Sequence, residues 1–168
     1  MASEPPVKMN RIVLCMRWGQ LYSAEYVNVM FRACQRHIHG TFQFVCLTDD
    51  SHGLADGIES YPIPDIGLAP QHYLDGAWPK LTVFLKDLYG LRGRALFIDL
   101  DSVICGSLDE MFDTPGEFIG INVGKTWRHP KLSSAPELGT GVFVFDLGAL
   151  SATLTEITQA RDAVVMRD

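Results

Sequence analysis

Apolar residues fall along this chain in short blocks whose spacing alternates between two patterns. The continuous run from Ile12 to Met16 predicts a strand buried on both faces, ending at Arg17-Trp18-Gly19. Ser23 then stands as an N-cap before Val27, Met30, Phe31, Cys34 and Ile38, the spacing of an amphipathic helix that Gly40 stops. A second strand is predicted from Phe42 to Leu47. Strand, helix and strand joined by short connections form a βαβ unit, whose ligand edge lies beyond the C-terminal ends of parallel strands.

From Thr48 to Trp78 the chain is rich in Gly, Pro and Asp, and only Ile58 to Tyr61 has strand character. An excursion of this length is usually functional or mobile. Pro79 suits the first turn of a helix with Leu81, Phe84, Leu85 and Leu88 on its buried face and Gly90 and Gly93 at its exit,. Ala95 to Leu100 follows as the next strand, apolar except for Asp99, with Asp101 immediately after it. A short helical turn at Ser107 to Glu110 precedes two further strands, Phe118 to Ile121 and Val142 to Phe145. A loop with Lys125, Trp127 and His129 separates them, and Ala149 to Arg167 has a weak helical pattern. The order predicts an α/β, Rossmann-like, mostly parallel sheet flanked by helices.

Length then limits the organisation. The 168 residues suffice for one domain with a hydrophobic core, so a single domain over 1–168 with a flexible segment at 1–9 is expected. With 47% hydrophobic and 20% charged residues, the composition is that of a folded globular protein. A formal charge of -6 and no cluster of Lys and Arg argue against a nucleic-acid partner. An acidic protein that binds an anion needs local positive charge, which a metal can supply. Cys15, Cys34, Cys46 and Cys105 make no ligand spacing and read as free thiols in a reducing compartment. No run approaches the ~18 apolar residues of a membrane span, and Glu4, Pro5 and Pro6 do not fit a signal peptide. A cytoplasmic protein with no transmembrane segment is expected.

Asp99 and Asp101 are the residues with the clearest chemical content. Two apart on a strand, they would project from one face while Leu100 points into the core. Two neighbouring carboxylates at the end of a buried strand call for a counter-charge, and Mg2+ or Mn2+ supplies one while leaving coordination positions for phosphate oxygens. The bland alternative is that the acids solvate the strand end or cap the next turn. His37, His39, His52, His72 and His129 resemble no ligand set and read as surface or loop residues.

Trp78-Pro79-Lys80-Leu81, Leu96-Phe97-Ile98-Asp99-Leu100-Asp101 and Ser107-Leu108-Asp109-Glu110-Met111-Phe112 together resemble the core of glycosyltransferase family 8 (glycogenin-like) and related bacterial nucleotide-sugar transferases of the GT-A fold. Gly139-Thr140-Gly141-Val142-Phe143-Val144-Phe145 is similar to the family's Asn-Ser-Gly-Val strand, and Tyr22 falls where the family orients the nucleotide base. The similarity runs from about Arg11 to about Leu150. It implies a metal-dependent transferase that moves a sugar from a nucleotide diphosphate donor, with uridine as the base, to an acceptor. Asp99 and Asp101 would hold Mn2+ or Mg2+ in the family's DxD motif. Tyr22, Lys80, Asp99, Thr140 and Gly141 would contact the donor, with Lys80 on its phosphate or sugar. Arg17, Trp18, Asp49 and Asp50 lie on the same edge as candidates for base or ribose contacts, although Thr48-Asp49-Asp50 equally suits a turn.

Two departures from the family pattern qualify the resemblance. Gly139 replaces the family's Asn, and neither the Asp-Gln pair nor the His-Gly segment with its metal-binding His occurs before Asp168, so a C-terminally truncated enzyme is the expectation. One alternative is a non-catalytic or fragmentary module that binds nucleotide sugar without transferring it. A second is a haloacid-dehalogenase-type phosphatase, because Asp99-Leu100-Asp101-Ser102-Val103 fits its nucleophile signature. That signature usually opens its fold, whereas two strands come first here, and Lys125 or Lys131 would have to be the phosphate lysine.

Overall fold

In β1 (Arg11–Arg17), Ile12 and Leu14 pack on one face of a sheet while Val13 and Cys15 pack on the other, all fully buried. Both faces are covered, so the run is continuously apolar rather than alternating. The computed structural model describes residues 10–74, 77–122 and 138–156. Around β1 it arranges β2 (Gln43–Thr48), β3 (Ile58–Tyr61), β4 (Arg94–Ile98), β5 (Phe118–Asn122) and β6 (Leu138–Asp146) in the order β3-β2-β1-β4-β6-β5. The first four run parallel, and β6 is antiparallel to both β4 and β5. The sheet is α/β as expected, parallel over β3-β2-β1-β4 and made mixed by antiparallel β6 and β5, with the chain turning outward in both directions from the β1–β4 seam. Ligands bind beyond the carboxyl ends of strands at such a switch point.

Helix α1 (Ala24–His37) buries Val27, Met30, Phe31 and Cys34 on one face of the sheet, as the spacing predicts. Ser23 occupies the N-cap in extended conformation without a side-chain cap bond, and Ile38 closes the other end before Gly40 at φ 90°. Buried Asn28 reaches from this helix to the long excursion, donating to the Gly53 carbonyl at 2.9 Å and accepting from the Ala55 amide at 2.8 Å. Short α3 (Asp109–Asp113) brings Phe112 to the same core. On the opposite face Phe97, Phe143 and Phe145 form an aromatic layer with Phe84, the Phe97 and Phe143 rings stacking at 4.8 Å.

Three sequence expectations are corrected. Trp78–Phe84 is a 3₁₀ helix rather than an α-helix running on to Leu88, and it buries Pro79, Thr82 and Val83, while Leu81, Phe84 and Leu85 are half-buried. Pro79 and Thr82 share a face at a period of three, and the Thr82 hydroxyl bonds back to the Pro79 carbonyl at 2.8 Å, which favours the tighter turn. The excursion also contains a one-turn helix, α2 (Gln71–Leu74). Finally, β4 ends at Ile98, so Asp101 lies in a turn closed by the Ser102 amide on the Asp99 carbonyl at 3.0 Å.

Buried Arg94 opens β4 and grips the segment after α3, donating to the carbonyls of Phe112, Thr114 and Gly116 and to Asp146. Residues 1–9, the loop with Lys125, Trp127, His129 and Lys131, and most of the final predicted helix lie outside the described residues; 151–156 are helical. Among the described residues no helix is long and apolar enough to cross a membrane.

Candidate functional site

The carboxyl ends of β1 and β4 open into a cleft of about 460 Å³ lined by Trp18, Tyr22, Tyr73, Lys80, Asp99 and Asp101, among others. Asp99 is fixed by the sheet although it follows the last residue of β4. Its amide donates to the Gly141 carbonyl at 2.8 Å, continuing the ladder in which Ile98 faces Val142. Leu100 returns to the core beside Ile98, so the strand's in-and-out alternation persists into the turn. Exposed Asp101 follows on the cleft side. The expected pair is thus brought together at one cleft, by a strand end and a turn rather than by a straight strand.

Gly141 also borders the Asp99 side chain: a Cβ at this position would lie 3.4 Å from Asp99 Oδ2, an ordinary contact. A register shift opposite β5 takes pairing from Gly120–Phe143 directly to Ile121–Gly139. Thr140, Gly141 and Val142 therefore bulge from the β5 ladder while β4 still holds Val142 and Gly141, and bulges of this kind redirect backbone beside sites.

Lys80, in the first turn of the 3₁₀ helix, reaches Asp99 Oδ2 with its Nζ at 2.5 Å and the Thr140 carbonyl at 3.5 Å. The ammonium lies 5.5 Å from the centre of the Phe97 ring. Burial pushes the Asp99 carboxyl above its ordinary pKa; the Lys80 ammonium opposes the rise and the charge of Asp101 adds to it. Tyr22 rises likewise, chiefly from desolvation and then from the Asp101 and Asp99 charges. One cation thus stands against two carboxylates in the cleft lining. Among the described residues no group of three or more His, Cys, Asp and Glu could hold a metal ion. The oxygen donors of the Asp pair nevertheless suit a hard divalent cation whose other positions are filled by ligand oxygens and water.

The remaining candidates divide. Arg17 is buried and committed, donating to the Tyr22 carbonyl at 3.0 Å and to both the carbonyl and the carboxylate of Asp50. It shapes the rim on which Tyr22 sits and is not a free phosphate cation. Asp50 fits the turn alternative for Thr48-Asp49-Asp50, its amide donating to the Thr48 hydroxyl at 3.1 Å and its carboxylate accepting from the His52 amide at 2.9 Å, while Asp49 instead accepts from the Gly19 amide at 2.9 Å. Trp18 lines the cleft and ties the excursion across it, its Nε1 donating to the Tyr73 carbonyl at 2.9 Å. Thr140 instead lines a second, apolar cavity with Leu81, Phe84, Phe118 and Phe143, which shares Lys80 and Ala77 with the cleft. Of the histidines, exposed His39 pairs through Nδ1 with Asp109 at 2.6 Å, far from the cleft, and His129 lies outside the described residues. Sequence reasoning missed Tyr73, whose place depends on a backbone carbonyl that any residue would offer.

No protein-family model matches the chain, and no protein of curated function is significantly similar to it in sequence. Solved structures do share its fold. The apo glycosyltransferase GlyE of Streptococcus pneumoniae TIGR4 superposes with a TM-score of 0.59 at 13% identity, over 95% of this chain and 39% of its own. The galactosyltransferase LgtC, solved with donor and acceptor sugar analogues, gives 0.56 at 14% identity, over 84% and 59%. The bifunctional glycosyltransferase WbbM gives 0.52 at 12% identity, over 90% and 34%. The chain therefore spans between 34% and 59% of the length of these neighbours, and its fold is that of GT-A glycosyltransferases.

Proposed function

We propose that the chain is the donor-binding part of a glycosyltransferase, transferring a sugar from a nucleotide diphosphate donor, UDP-linked, to an acceptor in the cytoplasm. The observation that carries the proposal is the meeting of Asp99 and Asp101 at the β1–β4 switch point with Tyr22 and Lys80 in the same cleft. The fold shared with GlyE and LgtC supports it. So does the charge of the cleft, since two carboxylates against one lysine would repel a diphosphate unless a divalent cation joined them.

Asp99 and Asp101 would hold Mn2+ or Mg2+. When bound, the ion supplies Lewis-acid stabilisation of the departing diphosphate. Tyr22 offers a ring face to the base, beside Tyr26 at 5.0 Å between ring centres. Lys80 adds a point charge for the donor's phosphate or sugar, and Gly141 borders the Asp99 carboxylate. Calorimetry with UDP-sugar and Mn2+ tests the assignment: Asp99→Asn and Asp101→Asn should each weaken donor binding at least about tenfold, the worth of one charge-assisted bond. Unchanged affinity in both would refute it. Release of UDP during incubation with donor separates a transferase from a module that only binds.

A further inference from the structure

Asp99 and Lys80 make a largely enclosed pair, with side chains 26% and 14% exposed. Asp101 is exposed and joins no ion pair among the described residues. A partly desolvated carboxylate needs a positive neighbour, and Lys80 is that neighbour when no other cation is present. Its Nζ takes Oδ2, a carboxylate oxygen for which a divalent ion held by both aspartates would compete. Gly141 brings no side chain to that oxygen, and the Lys80 ammonium is its side-chain partner. The Thr140 carbonyl at 3.5 Å offers the ammonium a second resting place at the border of the apolar cavity.

We propose that Lys80 is a counter-ion latch: it neutralises Asp99 in the cation-free protein, is displaced from Oδ2 when a divalent cation binds, and is thereby released to an anionic or hydroxyl group of the donor. The latch rests on Asp99 and Asp101 forming the cation site of the proposed function. It makes the cation alone a weak ligand, because a charge-assisted bond must break first. Nucleotide gives the released ammonium a new partner, so cation and nucleotide strengthen each other's binding by the same factor. An ordinary structural ion pair would be indifferent to both.

Binding of Mn2+ alone, followed by the electron paramagnetic resonance of the free ion, tests this on the full chain. Lys80→Met and Lys80→Gln should each bind Mn2+ about tenfold more tightly than the parent, the order of one charge-assisted hydrogen bond, while Asp101→Asn loses binding. In the unsubstituted protein, labelling of the Lys80 amine read by mass spectrometry should rise several-fold with saturating Mg2+ and fall again when UDP is added. That second measurement needs no variant, so a misfolded substitution does not block the test. Unchanged Mn2+ affinity in the folded Lys80 variants overturns the latch, and with Asp101→Asn still defective it leaves the cation site standing. Tighter binding with unchanged labelling reduces Lys80 to a repelling charge and also overturns displacement. No Mn2+ binding by any form overturns the cation site and the latch together.

Discussion

Arg94→Met tests how the sheet is anchored at the end away from the cleft. Methionine preserves much of the aliphatic stem and removes every donor, so the packing changes little and the hydrogen bonds are lost. Arg94 is 4% exposed. Its bond to the Phe112 carbonyl, at 3.0 Å, is buried, whereas those to Thr114, Gly116 and Asp146, at 2.6 to 2.7 Å, are partly buried. Charge-assisted bonds contribute about 1.5–3 kcal/mol. Counting the buried one in full, about 2 kcal/mol, and letting water replace most of the others gives a loss of about 3 kcal/mol. For a chain of this size that is a fall in Tm of about 6–12 °C. Urea and thermal unfolding supply the numbers, and hydrogen exchange should show residues 108–117 losing protection first. A loss below about 1 kcal/mol would mean that these four contacts do not hold the segment.

Other substitutions and conditions probe separate features. Gly93→Ala should destabilise by more than about 2 kcal/mol in urea unfolding, because its Cβ would lie 2.3 Å from the Asn10 carbonyl oxygen at φ 130°, a clash with backbone joined to a disfavoured conformation. His39, together with Ser107 and Arg11, holds the Asp109 carboxyl well below its ordinary value of 3.8. A depressed folded pKa gives stability that is present above the unfolded value and lost as pH falls toward the folded one. Asp109→Asn should therefore flatten the fall of stability below about pH 4, as read from thermal melts across acid pH. Burial pushes the Cys34 thiol up to about 12, and Cys15 and Cys46 are also buried while Cys105 is exposed. Native protein should accordingly release one equivalent of thionitrobenzoate from Ellman's reagent at once, and a Cys105→Ser variant should release none before unfolding.

Legibility in the sequence followed the physical source of each feature. β1, α1 and β2 were readable because hydrophobic period and caps decide them locally, and Ile58–Tyr61 matches its expected strand. After Pro79 the leucines stand at helical spacing, yet Thr82, whose hydroxyl closes a tighter turn, overrides them. The Asp pair was legible as chemistry, yet its support from the Gly141 carbonyl is a tertiary bond that no local pattern announces. Arg94 carries no local signal, since a lone arginine at a strand start usually faces water and its carbonyl partners converge only on folding. Similarly, Arg17 was a candidate ligand contact by position, and its bonds to Asp50 and Tyr22 show it to be a brace for the rim.

The bulge opposite Ile121 separates two duties that one strand would otherwise combine. β6 meets β4 in unbroken register up to Asp99, while three of its residues are free of β5. Insertions or substitutions along the β5 edge can thus accumulate without altering the spacing between Gly141 and the Asp99 carboxylate. Variation in what the molecule presents at that edge is insulated from the placement of Asp99 at the centre of the sheet.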